Sequence, residues 1–270
     1  MARTVTVTYS VCDDAAAVAR ACAELFAATA ANAAAERGVA RVAISGGSTP
    51  IAMFALLADP DERYFGRVPW DKMELYWVDE RCVGPEDADS NYGAARKAML
   101  SKVPLPEAKV FRMEGELDPE VAAHKYESQM RNNMRLEGAQ LPTLDLVMLG
   151  MGDDGHTASL FPHTDAINEL GRYVVANHVP QKDTWRVTLT WPVINQAREV
   201  AFQIVGGAKA GLLREVLLGK FQPETLPSQL IRPANGRLTM LLDAAVAAEL
   251  PAPSGASVGG CRVGSLELSR

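Results

Sequence analysis

Residues 144–151, Leu-Asp-Leu-Val-Met-Leu-Gly-Met, constrain the fold of this chain more than any other stretch. The run is apolar except for Asp145. Its length and its glycine border suit a strand covered on both faces, as strands inside parallel sheets are. It leads into Gly150, Gly152 and Gly155, a loop that permits tight turns and close approach of a ligand to the backbone. Asp153, Asp154 and His156 sit in that loop. Residues 157–161 are expected to begin a helix, with N–H groups turned toward the same space. Strand, glycine loop, ionisable cluster and helix start describe the kind of place where ligands bind in open α/β sheets. A histidine two residues after an aspartate in that context points to chemistry rather than to an incidental turn residue.

The remainder of the chain alternates in the same way. Strand patterns at 5–10, 39–44, 73–78, 109–112, 172–176, 186–190, 200–205 and 238–242 are interleaved with helical ones. The helices are expected at 15–36, 50–57, 91–100, 119–136, 210–218 and 244–250, with a short turn at 192–196. Asp13 or Asp14 can cap the first, Gly38 ends it, Thr49 can cap the second with Pro50 at its first position, and Asp243 can cap the last. No repeat or linker divides the chain. The alternation predicts a single α/β domain over residues 1–250, mostly parallel sheet with helices on both faces. Residues 251–270 are rich in Pro, Gly and Ser and are expected to be a loosely held tail, in which 261–268 could add an edge strand.

A net charge of −6 argues against a nucleic-acid or anionic membrane surface, yet leaves room for a small anionic substrate where a few cations converge. The four cysteines, Cys12, Cys22, Cys82 and Cys261, form no CxxC pair. They are expected to be free thiols in a reducing compartment, without a zinc site. The start, residues 1–7, alternates like a strand and lacks an apolar leader core. No run is long enough to span a bilayer, so a cytoplasmic location is expected.

Three further loops follow strands in the same sense and should share one sheet edge. Ser45-Gly46-Gly47-Ser48-Thr49 offers exposed N–H groups, two hydroxyls and a helix start, a composition that can cradle phosphate; a plain turn explains it equally well. Arg81, in Asp79-Glu80-Arg81, could fork onto a phosphate or simply pair with its acidic neighbours. Lys209 ends Gly206-Gly207-Ala208-Lys209 at a helix N-terminus, where a cation is out of place unless an anion lies nearby. Arg232 and Arg237 are further cations, either of which could be merely solvated. His124 and His178 read as surface residues, and His163 stays open. No His, Cys and carboxylate grouping has metal-ligand spacing, and no serine sits in a Gly-x-Ser-x-Gly elbow.

These residues carry a resemblance. The blocks ISGGSTPI at 44–51, WVDERC at 77–82, SNYG at 90–93, GMGDDGHTASLFP at 150–162, RVTLTWPVIN at 186–195 and VGGAKA at 205–210 are similar to those of the 6-phosphogluconolactonase family. They span residues 5–250, with the GDDGHTASLFP block the most specific. The resemblance implies a modified Rossmann-like α/β sandwich, shared with glucosamine-6-phosphate deaminases and ribose-5-phosphate isomerases. It implies hydrolysis of 6-phospho-D-glucono-1,5-lactone in the pentose phosphate pathway with no metal or organic cofactor. Catalytic histidine maps to His156, and phosphate binding to Gly46, Gly47, Ser48, Thr49, Arg81 and Lys209. On this reading His156 takes a proton from water and returns it to the departing ring oxygen, Asp154 orients the imidazole, and N–H groups of residues 152–156 could meet the oxyanion. The expected partner is the sugar-phosphate lactone alone, with no nucleic acid or membrane, for a monomer or weak dimer. Rival readings are a deaminase or isomerase on the same scaffold, which would carry an Asn-Glu-Pro-type segment after the histidine, and a sugar-phosphate-binding regulator, which would append a DNA-binding domain.

Overall fold

The computed structural model of the chain describes residues 4–233 and 235–269. Met1, Ala2 and Arg3 of the strand-like start, and Arg270 of the tail, lie outside them. In chain order the elements are β1 (Thr4–Cys12), α1 (Ala15–Arg37), β2 (Ala40–Ile44), α2 (Ser48–Ala58), β3 (Met73–Trp77), β4 (Asp79–Arg81), α3 (Asn91–Ala95), β5 (Val110–Phe111) and α4 (Pro119–Met134). They continue with β6 (Leu146–Leu149), β7 (Val174–Val179), β8 (Thr184–Leu189), α5 (Trp191–Asn195), β9 (Glu199–Ile204), α6 (Ala210–Leu218), β10 (Arg237–Asp243), β11 (Ser257–Val258) and β12 (Cys261–Ser269).

Nine strands form one sheet in the order β11-β12-β1-β10-β9-β6-β2-β3-β5. All neighbours from β1 to β5 run parallel, while β12 and β11 add antiparallel at one edge. β6 lies near the middle. Its alternate residues explain the apolar run: Val147 and Leu149 enter one core, Leu146 and Met148 the other. The first core holds the buried faces of α4, α5 and α6, the second those of α1, α2 and α3. Helix α1 approaches the sheet closely because Ala23, Ala27, Ala30 and Ala33 are fully buried. Asp14 caps it by accepting from Ala17 N at 2.7 Å, and Gly38 ends it in the left-handed conformation.

Asp145, the polar exception in the run, is 4% exposed and belongs to the opposite sheet edge. It accepts from Arg41 N at 2.8 Å and pairs with Arg37 at 2.9 Å and Arg198 at 3.4 Å. A buried carboxylate satisfied by three donors is a structural clamp.

Several expectations need correction. β4, β8 and β7 form a separate three-stranded antiparallel sheet, so the segments at 172–176 and 186–190 do not join the parallel one. Residues 157–161 do not begin a helix: Ala158 has φ +49° and Thr157 bridges to Leu160. A non-glycine residue in that region interrupts a right-handed helix at once. Residues 244–250 form turns, because Pro251 follows before a helix can propagate. α2 starts at Ser48, with Gly47 and not Thr49 at the cap position.

The tail and the cysteines also depart from expectation. β12 pairs with β1 from Ser269 against Thr4 to Arg262 against Val11, so the strand allowed for at 261–268 does form and that stretch is not a loose tail. Cys12 and Cys261 form a disulfide, leaving Cys22 and Cys82 as free thiols. The pairing was invisible in the spacing because 249 residues separate the two, and only the β1–β12 register brings them together. Cysteine usage therefore no longer argues for a reducing compartment. Among the described residues, no helix is long and apolar enough to cross a membrane.

Candidate active site

The chain leaves β2 toward β3 on one side and leaves β6 toward β9 on the other, although β2 and β6 are neighbours. That reversal of direction opens a crevice beyond the strand ends. Two adjoining hollows occupy it. The larger, about 200 Å³, is lined by Ser45, Asp79, Arg81, Asn91 and His156. The smaller, about 140 Å³, is lined by Ser48, Thr49, Gln203 and Lys209. Gly46, Gly47, Gly150 and Met151 line both, so the switch-point turns form a wall common to the two.

His156 is held on three sides. Its Nδ1 lies 2.5 Å from Asp154 Oδ1, and the same oxygen accepts from His156 N at 3.1 Å. Its ring stacks on Phe161 with centroids 4.0 Å apart. Burial opposes ionisation of Asp154, but hydrogen bonding and attraction from His156 outweigh it and hold the carboxyl down at about 2. Asp154 therefore stays charged near neutral pH and occupies Nδ1, so Nε2 is the ring nitrogen left without that partner.

Gly152 closes the third side. A Cβ there would lie 2.0 Å from His156 Cε1. Gly152→Ala should therefore displace the imidazole and cut turnover by about 10²-fold, the scale of a 1 Å misplacement. Kinetics beside a far-ultraviolet spectrum check this; a folded variant with normal turnover would show that ring position is not critical.

Arg81 stands opposite, at the end of β4. Glu80 is buried and accepts from the N–H groups of Arg81, Asn91 and Tyr92 at 2.7–2.8 Å and from Ser90 Oγ at 3.1 Å, which fixes the strand end to the start of α3. Burial raises its carboxyl above the ordinary range, and those N–H groups partly offset the rise. Arg81 donates from Nη1 to Asp89 O and, among the described residues, pairs with no carboxylate, so the ion pair with Asp79 or Glu80 does not form. Across the ladder it faces Arg186, whose guanidinium is lowered by burial first and by the charge of Arg81 next. A guanidinium with a second one beside it and no carboxylate in direct contact among the described residues favours an anionic or electron-rich ligand.

The smaller hollow gathers other donors. Gly47 provides no side-chain cap for α2, so the first N–H groups of that helix remain available. Lys209 Nζ donates to Met151 O at 2.8 Å and lies 3.3 Å from Asp153 Oδ1. The anion expected beside Lys209 is thus partly supplied by the glycine loop itself.

The family of glucosamine-6-phosphate isomerases and 6-phosphogluconolactonases matches residues 13–240. This chain belongs to that family. The 6-phosphogluconolactonase of Synechocystis is 39% identical over 210 residues, 77% of this chain and 84% of that protein. The Nostoc protein of the same name is 39% identical over 217 residues, 80% and 86% of the two chains. The structure of 6-phosphogluconolactonase from Trypanosoma brucei superposes with TM-score 0.79 at 26% identity, covering 92% of this chain and all of that one. A monomeric glucosamine-6-phosphate deaminase, 17% identical with TM-score 0.74, shares the fold.

In this family member the predicted residues separate into two groups. Arg81 and His156 meet in the larger hollow, Lys209, Ser48 and Thr49 lie in the smaller, and Gly46 and Gly47 border both. Arg237 pairs with Glu199 at the start of β10, away from both, and Arg232 lines neither. His124 and His178 are exposed. His163 N donates to Glu224 O, and His163 lines neither hollow. The oxyanion expectation weakens, because Gly152 N, Gly155 N and His156 N already donate inside the loop. Ser45, named with the first glycine turn, lines the larger hollow, and sequence reading did not single out Asp79, Asn91 or Gln203. Asp79 is buried, accepts from Ser159 Oγ at 2.7 Å, and its backbone oxygen receives Asn91 Nδ2 at 2.9 Å. The advance signal for Asp79 and Asn91 was their place in the VDER and SNYG blocks, whereas Gln203 lies in none of the blocks that carry the resemblance.

Among the described residues, no group of three or more His, Cys, Asp or Glu could hold a metal ion.

Proposed function

We propose that this chain hydrolyses 6-phospho-D-glucono-1,5-lactone to 6-phosphogluconate, the lactone-opening step of the pentose phosphate pathway. The observation that carries the reading is the shared wall: His156 and Arg81 open into one hollow, and Lys209 with the start of α2 into the next. A lactone bearing a phosphate one carbon beyond its ring needs two such compartments side by side.

The phosphate lies in the smaller hollow against Lys209, Ser48, Thr49 and the first N–H groups of α2. The ring lies in the larger. Water approaches C1 as Nε2 of His156 takes its proton, and the imidazolium formed is stabilised by Asp154. Arg81 shares the hollow of His156 rather than that of Lys209, which supports a place at the carbonyl oxygen instead of the phosphate. It also supplies donors that the engaged amides of Gly152, Gly155 and His156 do not. When the C1–O5 bond breaks, His156 returns the proton to O5, giving the carboxylic acid and a free hydroxyl.

The test is formation of 6-phosphogluconate from freshly generated lactone, above the spontaneous rate, with a chelator present. Catalysis with chelator and no ammonia release from glucosamine 6-phosphate are expected. Ammonia release without lactone hydrolysis would transfer the chain to the deaminase reading.

A further inference from the structure

Gln203 is a polar residue in a place built for an apolar one. It lies on β9, whose six residues are all buried, and is itself 2% exposed. Phe202 and Ile204 point into one core, so Gln203 shares the other face with Ala201 and sits in register with Leu241, both members of the second core. Neither Nε2 nor Oε1 has a hydrogen-bond partner among the described residues. A buried amide left so destabilises the fold, whereas leucine or methionine would fill similar space without that cost. Gln203 lines the smaller hollow, where it stands with Lys209, Ser48, Thr49 and Gly47.

We infer that Gln203 is a substrate-binding residue whose amide N–H donates to the phosphate of the bound sugar, a role that rests on the two-compartment reading above. A phosphate monoester satisfies both ends of the side chain. Its oxygens accept from Nε2, and the hydroxyls of Ser48 and Thr49, or a water carried with the phosphate, supply a donor for Oε1. The neutral amide adds a directional contact beside the point charge of Lys209 and so favours a tetrahedral oxyanion over a simple carboxylate. Gln203 touches the anchor and not the reacting carbonyl, so its contribution is to binding of substrate and product alike.

Gln203→Leu should raise KM for the lactone and the dissociation constant for inorganic phosphate by about 10–100-fold, the value of a hydrogen bond to a charged group, with kcat within about 3-fold. Without ligand the variant should melt no lower than the parent, since an unsatisfied amide has been removed. Lower melting with unchanged phosphate affinity would mean a purely structural role and overturn the inference. Gln203→Met serves as the second variant if the leucine form folds poorly. In the parent protein, the Gln203 side-chain amide resonances should shift on titration with inorganic phosphate, and stationary resonances in a titration that saturates other signals would overturn it without any variant. The phosphate titrations do not need lactone turnover, so failure of the catalytic reading and failure of this one are distinguishable.

Discussion

Replacing His156 by alanine should slow enzymatic lactone opening by about 10²–10⁴-fold, the share that a positioned acid–base group supplies. The expectation follows from the geometry of one side chain. Asp154 occupies Nδ1, Phe161 covers a ring face, and Gly152 leaves room for the edge. Nε2 is thus a basic atom that the hollow presents in a fixed place. The substitution leaves Lys209, Ser48 and Thr49 untouched, so 6-phosphogluconate should bind with nearly unchanged affinity. The measurement is product formation corrected for spontaneous opening, beside a direct titration of product binding. Turnover equal to the parent would reject the assignment, and lost product binding would make His156 an anchor rather than a base. Asp154→Asn should fall between the two, because an amide can still meet the imidazole but lacks the charge that stabilises its cation.

Breaking the Cys12–Cys261 bridge should lower stability by about 2–5 kcal/mol, the usual effect of removing a native disulfide. A loop closed over 249 residues of separation restricts the unfolded chain strongly, and the bridge ties the first strand to the last. For a domain of this size that corresponds to a fall in Tm of about 5–15 °C. Melting the parent with and without reductant, beside Cys12→Ser/Cys261→Ser, checks it. A reductant-insensitive parent that melts with the double variant would show that the bridge contributes nothing. The other thiols should not confuse the result. Burial pushes the Cys22 thiol up to about 12 and, with smaller charge effects, Cys82 to about 11, so neither is a ready nucleophile.

The strands that pack on both faces were legible because burial is written locally. Leu146 to Leu149 must be apolar at every position, and that signal survives without any partner in view. The same holds for α1, where Asp14, a run of alanines and Gly38 are each sufficient reasons for a start, a body and a stop. Legibility failed where distant segments decide. The segment after His156 looks like a helix start, yet Ser159 Oγ is taken by Asp79, its N–H by Thr188 and its carbonyl by Asn177, from three other parts of the chain. Those bonds hold an extended, sharply turned conformation that propensity does not foresee. The small antiparallel sheet was missed for a related reason: β4 is three residues long and exists only because β8 lies beside it.

By itself the sequence determined the class of fold, the loop that carries the imidazole and its carboxylate, and the family, because each of these is encoded in contiguous residues. Tertiary structure alone decided that Arg81 joins His156 while Lys209 joins the start of α2, that Gln203 opens into the second hollow, and that Cys12 meets Cys261. The physical reason is the same for all three. A parallel sheet orders its strands by packing and not by chain position, so which loops become neighbours is fixed only when every strand has found its place.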